Sequence, residues 1–189
     1  MYLKEGDAAM YESKLQDERL MYDLVVQRLK DRGVELEDIA QITLELQRKF
    51  LPDLTFETCL LHLESVLEKR EVQNTILTGI ELDVLAEKGL ISEPLSMMLN
   101  TDYGLYGIDE VLALSIVNVY GSIGLTNFGY VDKVKPGIMA ILDSKTENSK
   151  ACHTFLDDIV GAIAAAAASS IAHRYTDTSK VIEAIKKSR

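Results

Sequence analysis

A chain of 189 residues, 47% of them apolar and 26% charged, is long enough for one domain with a substantial core, and that balance excludes wholesale disorder and a collagen-like repeat. Against 20 basic residues stand 30 acidic ones, and a net charge of -10 excludes a surface built to neutralise phosphate backbones, so no nucleic acid partner is expected. Cys59 and Cys152 lie far apart without metal-ligand spacing and read as small core residues of a reducing compartment.

Residues 1–14 show no period and are expected to fray, leaving a single all-helical domain over 15–189. MYLKEGDAAMYESK also lacks the apolar core of a secretory signal, which points to the cytoplasm. Tyr22, Val25, Val26 and Leu29 then fall at helical spacing, and Arg32 with Gly33 supplies a stop. A second stripe, Ile39, Ile42, Leu46 and Phe50, ends at Pro52. Phe56, Leu60, Leu63 and Leu67 mark a third helix, and Val72, Ile76, Ile80 and Val84 a fourth that runs to Gly89. Met97, Met98 and Leu99 follow Pro94 in a shorter segment, and DYGLYG at 102–107 reads as a loop.

Beyond Gly107 the pattern changes. Val111, Leu112, Leu114, Ile116, Val117 and Val119 occupy the whole circumference of a helix, which predicts a buried element that Gly121 and Gly124 interrupt or end. A further helical pattern breaks or restarts at Pro136 and Gly137, and SKTENSK is a polar loop. Asp157 to Ala172 then has no wet face, and its run of alanines lets neighbours come close on every side. This predicts the central helix of an all-α bundle, buried and surrounded by the others, with a last amphipathic turn or two in VIEAIKKSR. The most apolar uncharged run, Ile159 to Ala172, falls short of the about 20 residues a membrane span needs, so no transmembrane span is expected.

Five carboxylates sit in this most apolar part of the chain. Asp109 and Glu110 open one apolar helix, Asp157 and Asp158 open the other, and Asp132 lies between Val131 and Val134. Thr154 reads as an N-cap with an acid at the third helical position, so capping and the helix dipole are one account of the second pair. A buried carboxylate without a partner costs several kcal/mol, so convergence on one cation is the other account. All-oxygen donors favour a hard ion such as Mg²⁺, which points to phosphate chemistry. Lys135 is then either a phosphate-binding cation or the salt-bridge partner of Asp132, and His153 either a proton donor or a loop residue.

The runs GIDE at 107–110, DKVKP at 132–136 and FLDDIVGAIAA at 155–165 resemble, in this order, the three acidic motifs of the phosphatidylglycerophosphatase A family. A soluble branch, including proteins described as required for growth at low temperature, is similar over most of the chain. The resemblance implies a helical bundle with a central helix and a Mg²⁺-dependent phosphatase that removes the terminal phosphate of phosphatidylglycerophosphate. It implicates Asp109, Glu110, Asp132, Asp157 and Asp158 in metal binding, Asp132, Asp157 and Asp158 in catalysis, and Lys135 in holding the phosphate-bearing substrate. The membrane enzymes carry an arginine where this chain has Gly129, and a glycine-rich approach to the third motif where it has ENSKACHT. An inactive soluble homologue that binds metal or assembles with partners is therefore the alternative. A phospholipid head group would be reached by peripheral membrane contact, with the basic tail of Lys180, Lys186, Lys187 and Arg189 as the contact. Alanine-rich and methionine-bearing faces point to a homo-oligomer.

Overall fold

In the computed structural model the described residues are 18–144 and 151–187, without the side chains of 18 and 176–187. The N-terminal segment expected to fray and most of SKTENSK lie outside them, as do the side chains of the basic tail.

Each helix boundary follows from local chemistry. Helix α1 (Glu18–Asp31) buries Val25 and Leu29 and stops at Gly33, whose φ of 79° lets the Gly33 and Val34 N–H groups return to the Lys30 and Leu29 carbonyls. In α2 (Leu36–Arg48) the Glu35 N–H donates to Asp38 at 3.0 Å in a capping box, and in α3 (Phe56–Leu67) the Thr55 hydroxyl accepts from the Thr58 N–H at 3.2 Å. Helices α4 (Arg70–Glu87) and α5 (Leu95–Thr101) complete the first part of the chain. After α6 (Ile108–Val117) come a 3₁₀ turn (Asn118–Tyr120), α7 (Gly121–Val134) and α8 (Ile138–Asp143). All the described elements are helical.

The last helix, α9 (Leu156–Lys187), continues from the central segment into VIEAIKK, where an amphipathic turn or two is expected. It packs against α2, α3, α4, α6, α7 and α8, and every residue from Ala162 to Ala168 is fully buried. The small side chains allow this. A Cβ at Gly79 would stand 3.1 Å from Phe155 Cβ, so α4 approaches the start of α9 more closely than a larger residue permits, and one at Gly161 would stand 2.7 Å from Met139 Cε, the movable end of a side chain on α8.

Two expectations are corrected. Thr154 does not cap α9: its hydroxyl donates to the Leu99 carbonyl at 2.7 Å, and the helix is started by Asp83 of α4. Nor is α6 buried all round. Ala113, Ile116 and Val117 face the core, while Ile108 and Val111, and Val119 in the 3₁₀ turn, face outward, because α6 has α4, α7 and α9 on its inner side and nothing among the described residues on its outer one. By length and composition, two stretches are apolar enough to cross a membrane: Leu156–Tyr175, whose most apolar window is 83% buried in the bundle, and Ile108–Val134, whose window is only 33% buried. The second spans the 3₁₀ turn and the positive φ of Gly121, so it is two helices rather than one rod.

Candidate metal and phosphate site

Helix α7 ends on Lys135, which adopts the left-handed conformation (φ 48°, ψ 58°) with its N–H on the Val131 carbonyl at 2.7 Å, and Pro136 forbids another helical turn. Its ammonium stands 2.8 Å from Asp132 Oδ1, 2.8 Å from Asp157 Oδ2 and 3.3 Å from Asp158 Oδ1. Three N–H donors thus meet three carboxylates from two helices. Asp157 and Asp158 are 8% and 4% exposed, in the first turn of α9, where the helix dipole favours negative charge.

The remaining acids come from α6. Gly107 turns the chain with a φ of 76°, and Asp109 accepts the Glu110 N–H at 3.0 Å. Asp109, Glu110, Asp132, Lys135, Asp157 and Asp158 all line one hollow of about 170 Å³. The loop expected at 102–107 forms its lip, with Tyr103 and Leu105 exposed. Asp102 and Asp143 also line it, and sequence reasoning missed both because each falls at a helix end beside polar residues, where an acid is ordinary.

One ammonium among so many carboxylates leaves the hollow negative. Burial and the neighbouring Asp157 charge push the Asp158 carboxyl up to about 8, with Lys135 pulling the other way, and burial pushes Asp157 up to about 6 against the same pull. Burial disfavours the Lys135 ammonium, yet the Asp157 charge and the bonds to Asp132 and Asp157 outweigh it and raise its pKa. Glu110 is raised by burial and by Asp109. The donor set fits Mg²⁺ in chemistry and in charge, since it is all oxygen and carries more negative charge than Lys135 cancels. Among the described residues no three such groups stand together as a ready metal cage, because the acids of α7 and α9 are drawn onto Lys135.

The supports of the site lie in α4 and in the turn that follows α1. Asp83, fully buried, accepts the N–H groups of Phe155 at 3.2 Å and Leu156 at 3.0 Å, and the Cys152 thiol donates to it at 3.5 Å. Burial pushes its carboxyl up to about 7 despite these bonds. Arg32 grips Glu87 with both terminal nitrogens and donates to the Cys152 carbonyl at 2.8 Å, while Glu87 accepts the Cys152 N–H at 2.8 Å. The chain entering α9 is thus held from both sides. One signal was available for Asp83: it falls seven residues after Ile76 and three after Ile80, an acid inside an apolar stripe.

His153 stands beside this arrangement rather than in it. Its Nδ1 donates to the Leu142 carbonyl at 3.1 Å, burial lowers its pKa, and it lines a neighbouring hollow of about 370 Å³ that shares Asp157 with the first.

Comparison with known proteins agrees with this layout. The chain is 62% identical over 151 residues to the uncharacterized protein YutG of Bacillus subtilis (strain 168), covering 80% of this chain and 90% of that protein. The crystal structure of protein ypjQ from Bacillus subtilis superposes with a TM-score of 0.81 at 54% identity, covering 85% of this chain and 98% of that one. That of low temperature requirement C protein from Listeria monocytogenes gives 0.79 at 58% identity, with 82% and 97% covered. The phosphatidylglycerophosphatase A description matches residues 37–173, which include every residue of the acidic hollow, and the chain belongs to that family.

Proposed function

We propose that this chain is a Mg²⁺-dependent phosphomonoesterase that releases the terminal phosphate of phosphatidylglycerophosphate or of a related phosphomonoester. The observation that carries this is the Lys135 ammonium seated among Asp132, Asp157 and Asp158, with Asp109 and Glu110 across the same hollow, in a member of this family.

Asp109, Glu110, Asp132, Asp157 and Asp158 would hold the ion, which when bound supplies the positive charge that offsets phosphate oxygens and activates water. Lys135 exchanges one carboxylate for a phosphate oxygen and keeps its charge aimed where charge builds up as the ester bond breaks. One of Asp132, Asp157 and Asp158 accepts the proton of the attacking water, and the products are an alcohol and inorganic phosphate. Asp83 fixes the start of α9 so that Asp157 and Asp158 face the hollow together. The lip at Tyr103 and Leu105 is where a lipid head group would enter from a bilayer surface.

Phosphate release from phosphatidylglycerophosphate in mixed micelles and from soluble phosphomonoesters, with Mg²⁺ or with a chelator, tests the reading. Mg²⁺-dependent turnover that Asp157→Asn and Lys135→Met abolish is expected, and no turnover on any of them overturns it. Gly129, exposed where the membrane enzymes place an arginine, supports the second reading of a metal-binding protein without hydrolysis. Saturable Mg²⁺ binding without turnover would favour that one.

A further inference from the structure

From Val111 to Val131 the sequence contains no charged residue, yet much of this stretch faces outward. Val111 is 60% exposed and Tyr130 59%, and Val119 and Leu125 are exposed with them. On α7, Gly121 and Gly129 flank Leu125 at four-residue intervals, and a Cβ at either glycine would meet nothing within 4 Å. A monomer does not leave so continuous a neutral apolar face on two adjacent helices without an occupant.

We infer that a second copy of this chain covers the α6–α7 face, with the two α7 helices antiparallel about a two-fold axis near Leu125. Charge selects this occupant. At one end of the face stand Asp109 and Glu110, and at the other Phe50, which lines the same surface hollow as Ser122 and Ile123 and is preceded by Arg48 and Lys49. Among the described residues none of these four charged side chains makes an ion pair. An antiparallel pairing lays each copy's basic end on the other's acidic end, whereas an anionic bilayer would meet the carboxylates of a chain carrying -10. The glycines serve the same arrangement, since each Gly121 then faces the other copy's Gly129 and the two backbones approach closely where they cross. The pairing draws on Asp109 and Glu110, which also line the acidic hollow, so its test reads association of the chains and not turnover.

Sedimentation velocity on the full chain from 1 to 100 µM is the test. A dimer is expected, with Val111→Glu and Leu125→Glu each raising the dissociation constant roughly thirtyfold or more. Both side chains are exposed, so the variants should keep the parent's helical circular dichroism spectrum and a cooperative melt, which shows that they fold. Lys49→Glu should weaken the dimer and Lys49→Glu combined with Glu110→Lys restore it, which a parallel pairing would not give. A monomer at 100 µM, or a dimer indifferent to both apolar substitutions, overturns the proposal. So does binding to vesicles of phosphatidylethanolamine and phosphatidylglycerol that either substitution abolishes, since the bilayer would then be the occupant.

Discussion

Asp83 accepts the Leu156 N–H at 3.0 Å, so the helix that presents Asp157 and Asp158 is begun by a side chain from another helix. This long-range cap joins α4 to the acidic hollow through buried atoms alone.

Removing that acceptor has a defined cost. Asp83→Ala leaves the N–H groups of Phe155 and Leu156 buried without their partner and should lower stability by about 3 kcal/mol in urea unfolding, while Asp83→Asn keeps an acceptor and costs less. The pH dependence has a fixed sign. With a folded pKa raised from 3.8 to about 7, Asp83 contributes stability that is fully present below its ordinary value and is lost as pH rises through about 7. Asp83→Asn should flatten that decline.

Lys135→Met leaves two nearly buried carboxylates facing each other without a cation. A loss of about 3 kcal/mol is expected at pH 8, and a smaller one at pH 5, where Asp157 and Asp158 take up protons. Millimolar Mg²⁺ should recover part of the loss in urea titrations, because an ion that binds only the folded chain stabilises it.

The close approaches to α9 differ in what they can absorb. Gly79→Ala would press on Ile159 and on Phe155 Cβ, which cannot move without the backbone, and should cost about 1–3 kcal/mol. Gly161→Ala meets the thioether end of Met139, which can swing aside, and the higher helix propensity of alanine offsets the strain, so its melting temperature should stay close to that of the parent.

Glu87 sets part of the acid limit. Burial works against its charge, but the bonds from Arg32 and from the Cys152 N–H prevail and hold its pKa below the usual carboxylate range. Its contribution is therefore present above the ordinary glutamate value and lost as pH falls through the folded one. Glu87→Gln should remove that component of acid unfolding, seen as a shallower fall in stability below pH about 4.

The helices of the first part were legible because each shows one apolar stripe and a local stop, such as Gly33 or Pro52. Five carboxylates of the hollow were legible because such groups are rare in apolar surroundings, Lys135 was legible from its place beside Asp132, and the fold brings these six to one place. The tie from α4 to the start of α9 was hidden, since Thr154 offers a plausible local cap and nothing in the sequence shows that its hydroxyl turns to Leu99. The exposure of α6 was hidden too. An all-apolar helix looks the same in sequence whether its outer side meets its own chain or another surface.

The debt that α9 owes to Asp83, Glu87 and Arg32 means that whatever happens at the acidic hollow can be silenced from a distance. In a random mutagenesis screen, defective alleles should gather on these three positions as well as on the hollow itself. Such alleles would leave every acid of the hollow intact while the platform beneath two of them tilts away.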